Sequence, residues 1–321
     1  MAGGVGQPSA VANVLGTSPN PPWSRGHWQW VRTTAKVYTG KRSGNKRKPK
    51  GYKVSHRTNV VTASGFLCIY EVTRRSSLCS RVGHRLLVIA AAAQGANVVV
   101  DYVAHPEETT ALIAKLEAAG GHAVGVQADV SQAADLHRMI QTAVDTYGRL
   151  DVLINNAGIE NRTSLLDTTE ADFDKVMAVN LKSAFFGTQA AAKQFISQGG
   201  GGLILNISSV HEDWPMPGNI AYCVSKGGIR MLTRTAGVEL GPHDIRVVNI
   251  APGAVSTPIN AATEADPAKM KALDAAIPLG RMAQAAEIAE VVVFLASGKA
   301  GYMTANTVVI DGGIMQGSVG L

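Results

Sequence analysis

Cysteine is scarce: Cys68, Cys79 and Cys223 are the three thiols in 321 residues. They form neither an even framework nor a close pair, which excludes a disulfide-stapled fold and a thiolate metal site and fits a reducing compartment. The eight histidines are scattered, with no cysteine or carboxylate at ligand spacing, so no metal is expected. Long apolar runs are missing too. None approaches the ~20 residues that a membrane span needs, and no secretory-type apolar segment stands near the start, so no membrane partner is expected. Acidic residues are absent from residues 1–57. Aromatic residues make up only 5% of the chain, yet three of its four tryptophans, Trp23, Trp28 and Trp30, lie in that acid-free stretch.

The charge is therefore split. Residues 1–85 hold 15 Lys and Arg against the single acid Glu71, a net charge of +14, whereas residues 86–321 carry −8. The body has no electrostatic reason to bind nucleic acid or anionic lipid. Residues 1–57, rich in Gly, Pro, Ser, Lys and Arg and without a period of 2 or 3.6, read as a disordered basic extension. Tryptophans near the basic run from Lys41 to Lys50 form a pattern that binds single-stranded nucleic acid. A solvated tail is the commoner reason for such a run, and no nucleic-acid partner is expected. The same acid-poor head also fits an organelle transit peptide. The expected location is the cytoplasm, with an organelle as the alternative.

The remainder of the chain alternates between strand and helix patterns. Asn59-Val60-Val61-Thr62 reads as a first strand, Leu86 to Ala93 as a buried helix stopped at Gly95, and Asn97 to Val100 as a buried parallel strand. Helices are expected near 107–119, 132–147, 170–198 and 219–240, and strands near 122–128, 150–154, 203–207, 245–250 and 307–310. This alternation predicts an α/β fold, a doubly wound parallel sheet of Rossmann type, in one domain over residues 58–321.

One stretch concentrates chemistry. Tyr222 and Lys226 are four residues apart, hence neighbours on one face of a helix. A phenol titrates near pH ~10, and a fixed positive charge beside it favours the phenolate. Ser209 follows the apolar run Leu203 to Ile207, which puts its hydroxyl at a strand's carboxyl end, where open α/β sheets bind ligands. Asp101, at the end of the second strand, is placed to hold an adenosine 2′-hydroxyl, and no Arg or Lys stands between it and Pro106 to welcome a 2′-phosphate.

With Asn155-Asn156-Ala157-Gly158 ending one strand, Asn180 on the next helix and Pro252-Gly253 ending a later strand, the chain from about Leu86 to Leu321 resembles the short-chain dehydrogenase/reductase family. The resemblance implies an NAD(P)-dependent oxidoreductase acting on a small-molecule secondary alcohol or carbonyl, with NAD favoured and NADP as the alternative. It implies that Tyr222 moves the proton, Ser209 bonds the same substrate oxygen, Lys226 lowers the phenol pKa and binds the nicotinamide ribose, and Asn180 holds a relay water. By the same resemblance Asp129 and Val130 contact adenine, Asn156, Ala157 and Gly158 approach the ribose, and Pro252, Gly253, Val255 and Thr257 form the nicotinamide-side loop. A homotetramer is expected through the helices near 170–198 and 219–240, on which Phe185-Phe186 and Ile229-Met231-Leu232 are apolar on more than one face. The strings from Asn156 to Asn161 and from Ser208 to Glu212 are similar to those of glucose 1-dehydrogenases, with 3-oxoacyl-carrier-protein reductases as the rival resemblance.

One family element is missing. After the first strand the pattern places Thr-Gly-x-x-x-Gly-x-Gly, a turn that presents backbone amides to the cofactor pyrophosphate. Here Thr62 is followed by Gly65 and then by nothing similar until Gly83, 21 positions on, against about 7 in the motif. Poor dinucleotide binding is the expectation, and a non-catalytic scaffold is the alternative function.

Overall fold

Val98, Val99 and Val100 are all buried although their side chains alternate between two faces, so helices must cover the sheet on both sides. The computed structural model describes the backbone of residues 66–69 and residues 95–104, 106–118, 120–257 and 260–317. The basic extension 1–57, the strand expected at Asn59–Thr62, the helix expected from Leu86 to Ala93, and Gly65 and Gly83 lie outside the described residues.

Seven parallel strands form the sheet: β1 (Phe66–Ile69), β2 (Asn97–Tyr102), β3 (His122–Gln127), β4 (Val152–Asn155), β5 (Gly202–Ile207), β6 (Ile245–Pro252) and β9 (Asn306–Ile310), in the order β3-β2-β1-β4-β5-β6-β9. The direction of winding reverses between β1 and β4, which leaves a crevice at their carboxyl ends. A small parallel pair, β7 (Val255–Ser256) and β8 (Ala283–Gln284), stands apart. The helices are α1 (Pro106–Ala118), α2 (Ala133–Tyr147), α3 (Glu170–Met177), α4 (Ser183–Gln198), α5 (Ile220–Leu240), α6 (Ala261–Glu264), α7 (Pro267–Ala276) and α8 (Ala285–Ala296). One face of the sheet gives Val99, Ile204 and Val247 to a core with Met139, Phe195 and Ala236 of α2, α4 and α5. The other gives Val98, Leu205 and Val248 to a core with Leu112, Val292 and Leu295 of α1 and α8. The doubly wound α/β fold expected from the alternation is the fold observed.

Two elements differ from expectation. The strand between β2 and β4 is Phe66–Ile69, paired with Asn97–Val100 on one side and Val152–Ile154 on the other. Phe-Leu-Cys-Ile is the more apolar four-residue run, and the central slot is flanked on both sides. From Ile69 to Gly83 is 14 positions, so the excess over the motif's about 7 is half that counted from Thr62. The helix expected over 170–198 is interrupted by a π turn, Ala178–Lys182, in which the Ser183 amide bonds back to Ala178 O. Such widened turns recur at functional sites, and this one carries Asn180.

Candidate active site

Tyr222 and Lys226 stand one turn apart on α5, both buried. The Lys226 ammonium lies 5.4 Å from the centroid of the Tyr222 ring and donates to the carbonyl of Ile207, the last residue of β5, at 2.9 Å. A buried ammonium loses hydration and requires such partners. Ser209 comes two residues after β5 ends. Its hydroxyl accepts from the His211 amide at 3.2 Å, capping a 3₁₀ turn, Val210–Glu212.

Asn180 is buried beneath this layer. Its carboxamide accepts from the Ile159 amide at 2.8 Å and donates to Ile159 O and to Ser225 Oγ, each at 3.0 Å. Ser225 in turn donates to Tyr222 O at 2.7 Å. The apolar surroundings of Asn180 called for buried polar partners; these are two loop backbone groups and a serine of the Tyr222 helix. Without the π turn a helix of one uniform twist would carry Asn180 elsewhere.

A cleft of about 160 Å³ opens at the carboxyl ends of β4, β5 and β6. It brings together Asn156, Ser209, Tyr222, Pro252, Gly253, Val255 and Thr257, seven residues singled out from the sequence, and adds Asn260 and Ile288. Ala157 is buried next to Asn156, and Gly158 faces Lys226 and Asn180: a Cβ there would stand 3.5 Å from Lys226 Nζ and 3.8 Å from Asn180 Oδ1. A bare glycine thus leaves a cradle that a methyl group would fill. Gly253 is needed for a different reason, since its Cβ would meet the Asp311 backbone at 2.8 Å. The Thr257 hydroxyl donates to Val255 O at 3.3 Å, and Asn260 reinforces the same carbonyl at 2.8 Å. A mixed wall with Asn156, Thr257 and Asn260 among apolar residues, around the Ser209 hydroxyl and the Tyr222 phenol with the Lys226 ammonium behind it, fits a nicotinamide and an alcohol oxygen.

Asp101, Asp129 and Val130 are not in this cleft; they stand on the β2–β3 half of the sheet. Asp101 is wholly buried in β2. Asp129 Oδ1 accepts from the amide and hydroxyl of Ser131, at 3.0 and 2.7 Å, and the Asp129 amide donates to Asp135 at 2.7 Å. The Val130 side chain belongs to the core. Among the described residues no group of His, Cys, Asp or Glu is arranged to hold a metal, and no helix is long and apolar enough to cross a membrane.

A second polar layer escaped the motif reading. Asn155, Asn206 and Asn249 sit opposite one another across β4, β5 and β6, with Thr307 of β9 next in the row. Asn155 donates to Asn206 Oδ1 at 2.8 Å, and Asn206 donates to Thr233 Oγ1 of α5 at 2.8 Å. The signal was present as an Asn near the end of each of three apolar strand runs. His211 and Trp214 were missed as well: their rings stack at 5.9 Å, and His211 meets the Tyr222 ring edge-on at 6.3 Å.

Residues 85–315 match the family model described as enoyl-(acyl carrier protein) reductase. The chain is 38% identical over 222 residues to 3beta-hydroxysteroid dehydrogenase 1 of Eggerthella lenta, covering 69% of this chain and 85% of that protein. It is 35% identical to glucose 1-dehydrogenase 2 of Bacillus subtilis, over 68% of this chain and 84% of the relative. A solved short-chain dehydrogenase/reductase from Serratia marcescens superposes with a TM-score of 0.71 at 32% identity, covering 78% of this chain and 98% of that one. The sheet order, the buried Tyr222–Lys226 pair and these likenesses agree: the chain belongs to the short-chain dehydrogenase/reductase family, oxidoreductases that act on CH–OH groups with a nicotinamide dinucleotide.

Proposed function

We propose that residues 58–321 form one catalytic domain that oxidises a secondary alcohol, or reduces the matching carbonyl, with NAD as the preferred cofactor and glucose as the leading substrate. The observation that carries this reading is the gathering of Ser209 and Tyr222 at one cleft, with the Lys226 ammonium 5.4 Å behind the Tyr222 ring and Asn180 bonded beneath them. A bound nicotinamide supplies the hydride chemistry that no side chain offers. In the oxidative direction Tyr222 takes the hydroxyl proton while Ser209 hydrogen-bonds the same oxygen. Lys226 favours the phenolate by its charge and offers its ammonium to the ribose; Asn180 holds the Ile159 loop and orders a water that passes the proton on. Asn156, Ala157 and Gly158 receive the ribose, Pro252, Gly253, Val255 and Thr257 the carboxamide side, and Asp129 and Val130 the adenine. NAD is preferred over NADP because Asp101 is the penultimate residue of β2 and no Arg or Lys follows it before Pro106.

The stacked His211–Trp214 pair beside Tyr222 offers a flat wall to a ring-shaped substrate. That supports a sugar, the substrate named for the Bacillus relative. A hydroxysteroid is the second reading, favoured by the apolar character of the same wall and by the name of the Eggerthella relative. The assembly proposed is a homotetramer. Val224, Met231 and Val238 recur every seven residues on α5 and are exposed, as are Ile220 and Phe185, whereas Ile229 is buried in the core. This stripe is apolar surface that a partner helix would cover.

The test is initial-rate assay of the full chain with NAD⁺ and NADP⁺ against glucose, a 3β-hydroxysteroid and a simple secondary alcohol, with a 3-oxoacyl thioester in reverse. Glucose with NAD⁺ is expected to give the highest kcat/KM. Turnover of the thioester alone would overturn the substrate assignment, and a monomer mass by light scattering at micromolar concentration would overturn the tetramer.

A further inference from the structure

The turn that carries Ser209 is held by a carboxylate buried below it. Its internal hydrogen bonds, Glu212 amide to Ser209 O at 3.0 Å and Trp214 amide to Val210 O at 2.9 Å, shape the turn without reaching another element. Val210 is buried under it, but apolar contact is non-directional. At its entrance the Ser208 amide donates to Ile250 O of β6 at 2.7 Å, and at its far end Asp213 pairs with Arg230; between them the directional cross-links run through Glu212. Its side chain is only 3% exposed; Oε2 accepts from Asn249 Nδ2 of β6, and Oε1 accepts from Thr307 Oγ1 of β9 at 2.9 Å. Arg230 of α5 stands 3.9 Å from the same Oε1 and pairs with Asp213 next door. Arg230 is one turn beyond Lys226 and two turns beyond Tyr222.

We infer that Glu212 is a positioning residue: its carboxylate clasps the Ser209 turn to β6, β9 and the Tyr222 helix, and so sets where the Ser209 hydroxyl stands relative to the Tyr222 phenol. The inference rests on the catalytic reading of Ser209 and Tyr222. A buried carboxylate is costly unless donors surround it. Here two donors come from two strands and a guanidinium of the Tyr222 helix stands at ion-pair distance, an arrangement that spans three elements and so fixes registry. The chemistry also predicts which variant is tolerated. Asn249 Oδ1 is buried without a partner, so in Glu212→Gln the new amide can donate to Asn249 once that side chain turns over, while Oε1 still accepts from Thr307. Glu212→Ala leaves the Thr307 hydroxyl without its acceptor and Asn249 Nδ2 with only Thr307 Oγ1 to donate to.

The experiment compares the full chain with Glu212→Ala, Glu212→Gln, Thr307→Val and, as control, Tyr222→Phe. It measures kcat, KM for alcohol and dinucleotide, and hydrogen–deuterium exchange over 208–214. Glu212→Ala should lower kcat on the order of 10- to 100-fold, the scale of a misplaced reacting group, with KM for the dinucleotide within about twofold and faster exchange at 208–214 but not in β2 or β3. Glu212→Gln should restore most of both. A kcat within about twofold of wild type in Glu212→Ala, or unchanged exchange at 208–214, overturns the inference. Should Glu212→Ala fail to fold, Thr307→Val removes one donor in the same shape and must still lower kcat severalfold and loosen 208–214. A wild-type chain without Tyr222-dependent turnover would sink the catalytic reading instead, and exchange would then decide for or against the clasp.

Discussion

Asn180→Ala is the perturbation whose cost is tied most directly to the structure. The wild-type side chain makes three buried hydrogen bonds: one accepted from the Ile159 amide at 2.8 Å, one donated to Ile159 O at 3.0 Å and one donated to Ser225 Oγ at 3.0 Å. Alanine leaves the buried Ile159 amide and carbonyl without their side-chain partner, and each group left unmet costs about 1–3 kcal/mol. The serine recovers part of its loss by rotating, since it already donates to Tyr222 O. The expected destabilisation is about 2–6 kcal/mol, or a urea midpoint lowered by roughly 0.7–2 M for a slope of about 3 kcal/mol/M. Asn180→Asp should fall between the two proteins, because it keeps the acceptor for the Ile159 amide and loses both donors. The assay is urea unfolding followed by circular dichroism at fixed protein concentration. A change below about 0.5 kcal/mol, the scale of ordinary surface substitutions, would refute the claim that this side chain anchors the 156–159 loop.

Gly237→Ala should destabilise by at least about 1–3 kcal/mol, the cost of overpacking, because its Cβ would stand 2.7 Å from the Ala305 backbone, which has no rotamer to yield; a thermal melt unchanged within error would contradict that. Glu287 accepts two 2.8 Å bonds from Arg281 and one from the Gln284 amide, which together hold its carboxyl at about 2, below the ordinary 4.5. Its folded value is depressed, so the stability it adds is present above pH 4.5 and lost as pH falls through about 2. Melts of Glu287→Gln should therefore lie below wild type at pH 7 and converge with it near pH 2, and a constant gap would count against the ion pair. Replacing the residues between Ile69 and Gly83 by a short glycine turn should tighten NADH binding by roughly 10²–10⁴, the worth of two amide bonds to a charged pyrophosphate; equal Kd values by fluorescence titration would show that the native segment already builds a phosphate site.

The periodicity that located β2, β3, β5 and α5 within a residue or two works because those segments bury strong, uniform patterns. It misplaced β1, because Asn59-Val60-Val61-Thr62 and Phe66-Leu67-Cys68-Ile69 are both short apolar runs and the choice between them is made by the neighbours β2 and β4. The π turn at Ala178–Lys182 was invisible for a related reason. One extra residue in a helix leaves composition unchanged, and what favours it is the distant Ile159 and Ser225 that Asn180 reaches. Tyr222, Lys226 and Ser209 were legible because a short spacing fixes geometry on a helix or at a strand end. The partners of Glu212 were not: Asn249 and Thr307 lie 37 and 95 positions away, and only the strand order brings them under the Ser209 turn.

The central claim is that the Tyr222 hydroxyl carries the proton at this cleft, and the most direct measurement is kcat of Tyr222→Phe beside wild type, with NADH affinity measured on both. Phenylalanine keeps the ring that packs against His211 and Lys226 and removes only the hydroxyl, so fold and NADH Kd should hold while kcat falls by the ~10²–10⁴ that a general acid–base group supplies. Retention of more than about a tenth of wild-type kcat, at unchanged Kd, would contradict it.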